Sequence, residues 1–161
     1  MTDPERPTLE DLRRIDLFDE LDDEQLTRWQ QVAVIREAKA DTVVAAARQP
    51  SSGVFLLLEG IVQGIIFEAG RPEPITRQVA PTWMGAITAM TETGFAGEMR
   101  AVTDVRMAVV GAEDFTRLAL SQRPVHRRVM RAVRLSHRYT KSSKPIIKAS
   151  EILQNVSVSD L

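Results

Sequence analysis

Few side chains in this sequence are grouped for bond-making chemistry. His126 and His137 are its only histidines, eleven residues apart. Neither has a carboxylate at a spacing that would orient it for proton transfer. No His, Asp and Glu residues cluster at metal-ligand spacing. The absence of cysteine excludes a thiolate nucleophile, a disulfide, a zinc–thiolate site and an iron–sulfur cluster. An enzyme is therefore not expected, and both histidines read as helix-surface residues.

The chemistry the residues do offer is anion binding. Trp83-Met84-Gly85-Ala86-Ile87-Thr88-Ala89-Met90 places a glycine turn before a short helical segment. Backbone amides at such a helix start can cradle a phosphate, and an Arg fork would complete the site. Phe95-Ala96-Gly97-Glu98-Met99-Arg100-Ala101 follows and returns as a strand. Strand alternation puts Arg100 on one face and Met99 and Ala101 on the other. With the apolar pair inward, Arg100 points out; Arg71 and Arg77 are the other candidate cations. Glu98 reads as an exposed loop acid.

Charge is distributed in blocks although the net charge is −1. Residues 1–25 hold ten acids against three arginines, whereas residues 115–148 hold ten Arg and Lys and no acid. Each block is a natural partner for the other, within one chain or across a dimer. Nucleic-acid or anionic-membrane contact through the basic block is the alternative. No apolar run approaches the ~20 residues needed to span a bilayer. The N-terminus lacks the apolar core of a signal peptide, so a cytoplasmic protein without a membrane partner is expected.

The elements that must position these groups follow from hydrophobic period. At 161 residues one domain is expected: a disordered lead over 1–10, a folded unit over 11–140, and a tail or linker over 141–161. Asp11–Gln31 suits a helix broken near Asp19–Asp22, with Asp22 or Asp23 capping its second part. Val32–Ile35, Thr42–Ala45, Val54–Leu58, Ile61–Phe67, Pro74–Val79, Met99–Val102 and Val105–Val110 read as strands, a spacing that indicates a sandwich or jelly roll. Ala112–Ser121 is a short helix capped by its own acids. Pro124 then opens a second helix to about Thr140. Its stripe of Val125, Val129, Ala132, Val133, Ser136 and Tyr139 is the candidate dimer or interaction face.

The order of these segments resembles the cyclic nucleotide-binding domain, in its Crp/Fnr-like sensor form, over residues 12 to 140. The resemblance rests on Leu12–Trp29 as the opening helix and Ala40-Asp41-Thr42-Val43-Val44 as the second strand. It extends to Pro50–Val62 with Gly60 at the turn, to Ala101–Val110, and to Ala112-Glu113-Asp114-Phe115. It implies a double-stranded β-helix or jelly roll with N-terminal helices and a C-terminal helix pair. It also places the phosphate-binding cassette at Trp83–Met90, and so implies a candidate ligand-binding set of Met84, Gly85, Ala86, Ile87, Thr88, Phe95, Ala96, Gly97 and Arg100. Two residues depart from the family's pattern: Ala86 stands where the ribose-binding Glu would be, and Phe95 where the phosphate-gripping Arg would be. Ala47-Arg48-Gln49 similarly replaces the usual Glu-Gly-Asp. The resemblance implies a non-enzymatic regulatory domain whose C-terminal helix responds to a ligand or partner, with cyclic nucleotide affinity lost or altered. No cofactor is certain; a cyclic nucleotide or other small anion is the candidate ligand, and a homodimer or a signalling protein the candidate partner. The alternatives are a scaffold with a vestigial pocket, or nucleic-acid contact through the Arg-rich helix. The residues after Thr140 are too few for a helix-turn-helix, so a stand-alone transcription factor is not expected.

Overall fold

The segment Val54–Glu59 (β3) has no polar face before its last residue: Val54, Phe55, Leu56, Leu57 and Leu58 are all buried. Successive strand residues point to opposite sides, so both sides of β3 must be covered. In the computed structural model, which describes residues 3–47, 53–91 and 97–139, one side is covered by a second sheet and the other by helices. Phe55 and Leu57 join Val62, Met84, Met99, Ala101, Val105, Met107 and Val109 in an inner core. Val54, Leu56 and Leu58 join the helix-side core instead.

Among the described residues the two sheets have four strands each. The first runs in the order β1 (Ala33–Ala38), β8 (Val105–Val110), β3 and β6 (Thr82–Met84). The second runs β2 (Val43–Ala45), β7 (Glu98–Ala101), β4 (Ile61–Glu68) and β5 (Arg71–Val79). All pairings are antiparallel. Gly60, at φ +97°, makes the turn from β3 to β4 where a Cβ would meet Asp104 and Val105. This is the expected jelly roll. The strand β6 was not foreseen, because three residues give too short an alternation to read.

The helical layer is organised on Trp29. Its ring lies 5.0 Å from Phe18 and 5.6 Å from Phe115. Its indole N–H donates to Gln122 Oε1 at 2.7 Å, and Gln122 Nε2 donates to the Gln25 carbonyl at 3.3 Å. One buried amide therefore joins α2 (Asp23–Val32) to the end of α4 (Ala112–Ser121). As expected, Asp22 caps α2, in a reciprocal box with Gln25. The expected cap of α4 is corrected: Gly111 stands at its N-cap with no side-chain bond. Glu113 and Asp114 sit in its first turn, where carboxylates favour the helix dipole.

Two further expectations change. The break in the N-terminal helix comes earlier: α1 is Leu9–Arg13, followed by a 3-10 turn at Asp16–Phe18. The lead read as disordered is tied down over its described part. Glu5 O accepts from the Ile35 amide at 2.8 Å, Arg6 Nη1 donates to Ala33 O at 3.1 Å, and Thr8 caps α1. The tail at 141–161 lies outside the described residues.

Asp11 anchors α1 to the sheet. Its carboxylate accepts from the Thr8 amide and lies 3.4 Å from Arg106, which also reaches Glu5 at 3.5 Å. Burial raises the Asp11 pKa, but the Thr8 amide, the Arg106 charge and their hydrogen bonds outweigh it and hold the carboxyl below its ordinary value. A depressed folded-state pKa stabilises above the unfolded value and is lost as pH falls through the folded one. Asp11→Asn keeps an oxygen for the Thr8 amide and removes the charge. It should lower stability in urea at pH 7 by roughly 0.5–1 kcal/mol. The difference from wild type should close below about pH 4; a gap independent of pH would contradict the assignment.

Candidate ligand site and the C-terminal helix

The turn at Gly85 hands the chain from β6 to α3 (Ala86–Thr91), and its φ of +89° suits glycine. Met84 is held by pairing with Phe55 across the β3–β6 ladder. Beside this turn is a cavity of ≈ 240 Å³ lined by Ile75, Thr76, Gln78, Met84, Gly85, Gly97 and Met99. That is below the ~300 Å³ at which small-molecule sites usually begin. No charged side chain lines it among the described residues.

Of the expected ligand set, Met84, Gly85 and Gly97 therefore come together at one cavity. Ala86 does not line it: its side chain is buried in the helix-side core, and Ile87 packs on the same core. Thr88 donates its hydroxyl to Gly85 O at 3.0 Å. Phe95 and Ala96 lie outside the described residues.

Arg100 faces away from the cavity, as alternation required. Met99 and Ala101 are buried in the inner core, while the Arg100 side chain is 38% exposed. Its Nε and Nη2 donate to Glu98 Oε2 at 2.9 and 2.7 Å. The reading of Glu98 as an exposed loop acid is corrected: it begins β7, and its side chain is 16% exposed. Residues two apart on a strand share a face, so the carboxylate and guanidinium pair there. Arg71 and Arg77 are exposed on β5 and do not line the cavity either.

Ile75, Thr76 and Gln78 were missed. Thr76 and Gln78 share a face by period two, a signal the sequence carried. Ile75 joins them because the β4–β5 register shifts between Gly64 and Ile65, which pair with Thr76 and Pro74. The extra residue bends the strand, and such a bulge is not legible in residue pattern.

The C-terminal helix α5 spans Arg123–Tyr139. The expected interaction stripe is corrected at Val125, Val129 and Val133, which are buried in the chain's own helix-side core. Ala132 is half-buried; the side chains of Ser136 and Tyr139 lie outside the described residues. His126 is buried too, contrary to the surface reading, at one helical turn from Gln122. The opposite charge blocks meet within the chain: Arg127 lies 3.4 Å from Glu20, and Arg128 lies 3.8 Å from Asp19 and 3.7 Å from Glu20. Trp83 reaches the same region, donating its indole N–H to Asp16 at 3.0 Å.

The family model for the cyclic nucleotide-binding domain matches residues 35–122, more than half of the sequence. The chain belongs to the cyclic nucleotide-binding domain family. Solved structures of similar fold include the N-terminal domain of a transcriptional regulator from Streptomyces coelicolor A3(2), at 21% identity and a TM-score of 0.66 over 81% of this chain and 92% of that one. The sensor domain of the transcriptional regulator DNR from Pseudomonas aeruginosa superposes with a TM-score of 0.72 at 13% identity, covering 84% and 92%. The Thermus thermophilus catabolite activator protein gives 0.66 at 16% identity, covering 78% of this chain and 59% of that one. No curated protein sequence matches the chain. The stretch at which the cassette was expected forms β6, the Gly85 turn and α3, and the lining of the adjoining cavity carries no cation among the described residues.

The wall opposite Gly85 is packed closely. A Cβ on Gly97 would collide with the Ile65 carbonyl, which is backbone and cannot swing aside. Gly97→Ala should force β7 from β4 and destabilise the domain by about 1–3 kcal/mol. Urea denaturation checks this; an unchanged midpoint would show that the strands are further apart than described.

Proposed function

We propose that this domain is a non-enzymatic regulatory module of the sensor type whose cyclic nucleotide binding is lost or altered. Its output is a ligand- or partner-dependent change in the position of α5. The observation that carries the reading is the cassette cavity: small, lined without a cation among the described residues, with Arg100 engaged by Glu98 outside it. A cyclic phosphate needs charge compensation on leaving water, and each missing charge-assisted hydrogen bond costs about 1.5–3 kcal/mol.

The proposed coupling is local. Trp83, directly before the cassette turn, shares a groove with Ala132 and Leu135 of α5 and bonds to Asp16. A ligand that changes contacts at Met84 or Gly85 can thus favour one position of α5, provided its contacts differ between the two states. Similarity to sensor and regulator domains supports a place in a signalling assembly, as a homodimer or with a partner protein, in the cytoplasm. Arg131 and Arg134 of α5, which pair with no carboxylate among the described residues, favour an interaction module as the second reading.

Calorimetry with cyclic AMP, cyclic GMP and cyclic dinucleotides tests this. The wild-type chain should give no saturable heat at micromolar concentration. Phe95→Arg, which supplies the missing guanidinium, should raise affinity by at least about tenfold, the value of one charge-assisted bond. Saturable micromolar binding of any of these to the wild type would end the proposal.

A further inference from the structure

The outward side of α5 is not spent on the fold. Arg127, Met130, Arg131, Arg134 and Leu135 recur at positions i, i+3, i+4, i+7 and i+8, which makes them one stripe. They line a groove of ≈ 510 Å³. Arg127, Arg131 and Leu135 also line the adjoining ≈ 620 Å³ groove that Trp83 closes. Leu135 is 44% exposed, a large apolar side chain between cations. Arg131 and Arg134 make no ion pair or hydrogen bond with any described residue. Arg127 and Arg128 show how carboxylates are received here, from Glu20 and Asp19.

We infer that this groove docks an acidic amphipathic helix of a partner protein, which rests on the reading of α5 as the regulatory output. The stripe asks for two things at once. Carboxylates at helical spacing would meet Arg127, Arg131 and Arg134, and would relieve repulsion between like charges one turn apart. An apolar side chain between them would cover Leu135 and Met130, as in helix-in-groove recognition. A polyphosphate satisfies only the first. It would also meet the acidic rim of Asp16, Asp19 and Glu20, which a peptide can avoid through its own residue order.

The test is fluorescence anisotropy of the full chain with a fluorescein-labelled peptide of about five helical turns, Glu and Leu alternating at i, i+3 and i+4. Saturable binding is expected, weakening as salt rises. Arg131→Glu with Arg134→Glu should weaken it at least about tenfold, and Leu135→Ser about threefold or more. A Lys-for-Glu version of the peptide should bind the double variant better than it binds wild type, which shows that the variant is folded. Absence of binding to wild type overturns the inference. So does equal binding by oligo-glutamate, by a shuffled peptide or by a DNA duplex. So would sedimentation showing a dimer of the free chain that the double Arg variant splits, because a second copy then occupies the face. No cyclic nucleotide is present, so peptide failure refutes the docking face alone. Failure of the regulatory reading is seen separately, as saturable micromolar heat when the wild-type chain is titrated with cyclic AMP or cyclic GMP.

Discussion

Burial of β3 on both faces is the constraint from which the rest of the structure follows. A strand reading Val-Phe-Leu-Leu-Leu leaves no side for water. Two layers must be supplied, one sheet and one set of helices. The neighbouring strand β8 repeats the demand: Met107 and Val109 belong to the inner core, Ala108 and Val110 to the helix-side core. This is why α5 cannot offer its valines to another chain. Val125, Val129 and Val133 are buried in the helix-side core of their own chain. What α5 has left for partners is its charged side.

The same constraint separates the fold from the ligand. The inner core includes Met84 and Met99, which also wall the cassette cavity. Packing there depends on apolar volume and on the close approach of Gly97 to β4, and needs no ligand charge. The core of a domain built this way does not depend on charged groups beside the cavity. Ala86 illustrates the consequence, because its methyl is now part of the helix-side packing. The chain thus has the family's fold with a cavity whose described lining is uncharged.

Much of the frame was legible because it is written in local rules. The β-branched runs gave seven of the eight strands among the described residues, Gly60 and Gly85 marked turns, and Asp22 or Asp23 marked the start of α2. Arg100 was placed outward by alternation alone. What escaped depends on contacts between segments far apart in sequence. The Glu5–Ile35 hydrogen bond orders a lead whose composition reads as loose. The partner of an apolar helical stripe cannot be read from the stripe, so Val125 and Val129 looked like a dimer seam. Glu98 looked like an exposed loop acid because its pairing with Arg100 requires knowing where β7 begins.

The central claim is that the cassette keeps its shape while the chemistry beside it has become uncharged. A crystal structure grown with saturating cyclic AMP tests this most directly. The account predicts a cavity walled by Met84, Gly97 and Met99 that holds no nucleotide, with the Arg100 guanidinium on Glu98. A cyclic phosphate bound at Gly85, with Arg100 swung off Glu98 to meet it, would contradict the account.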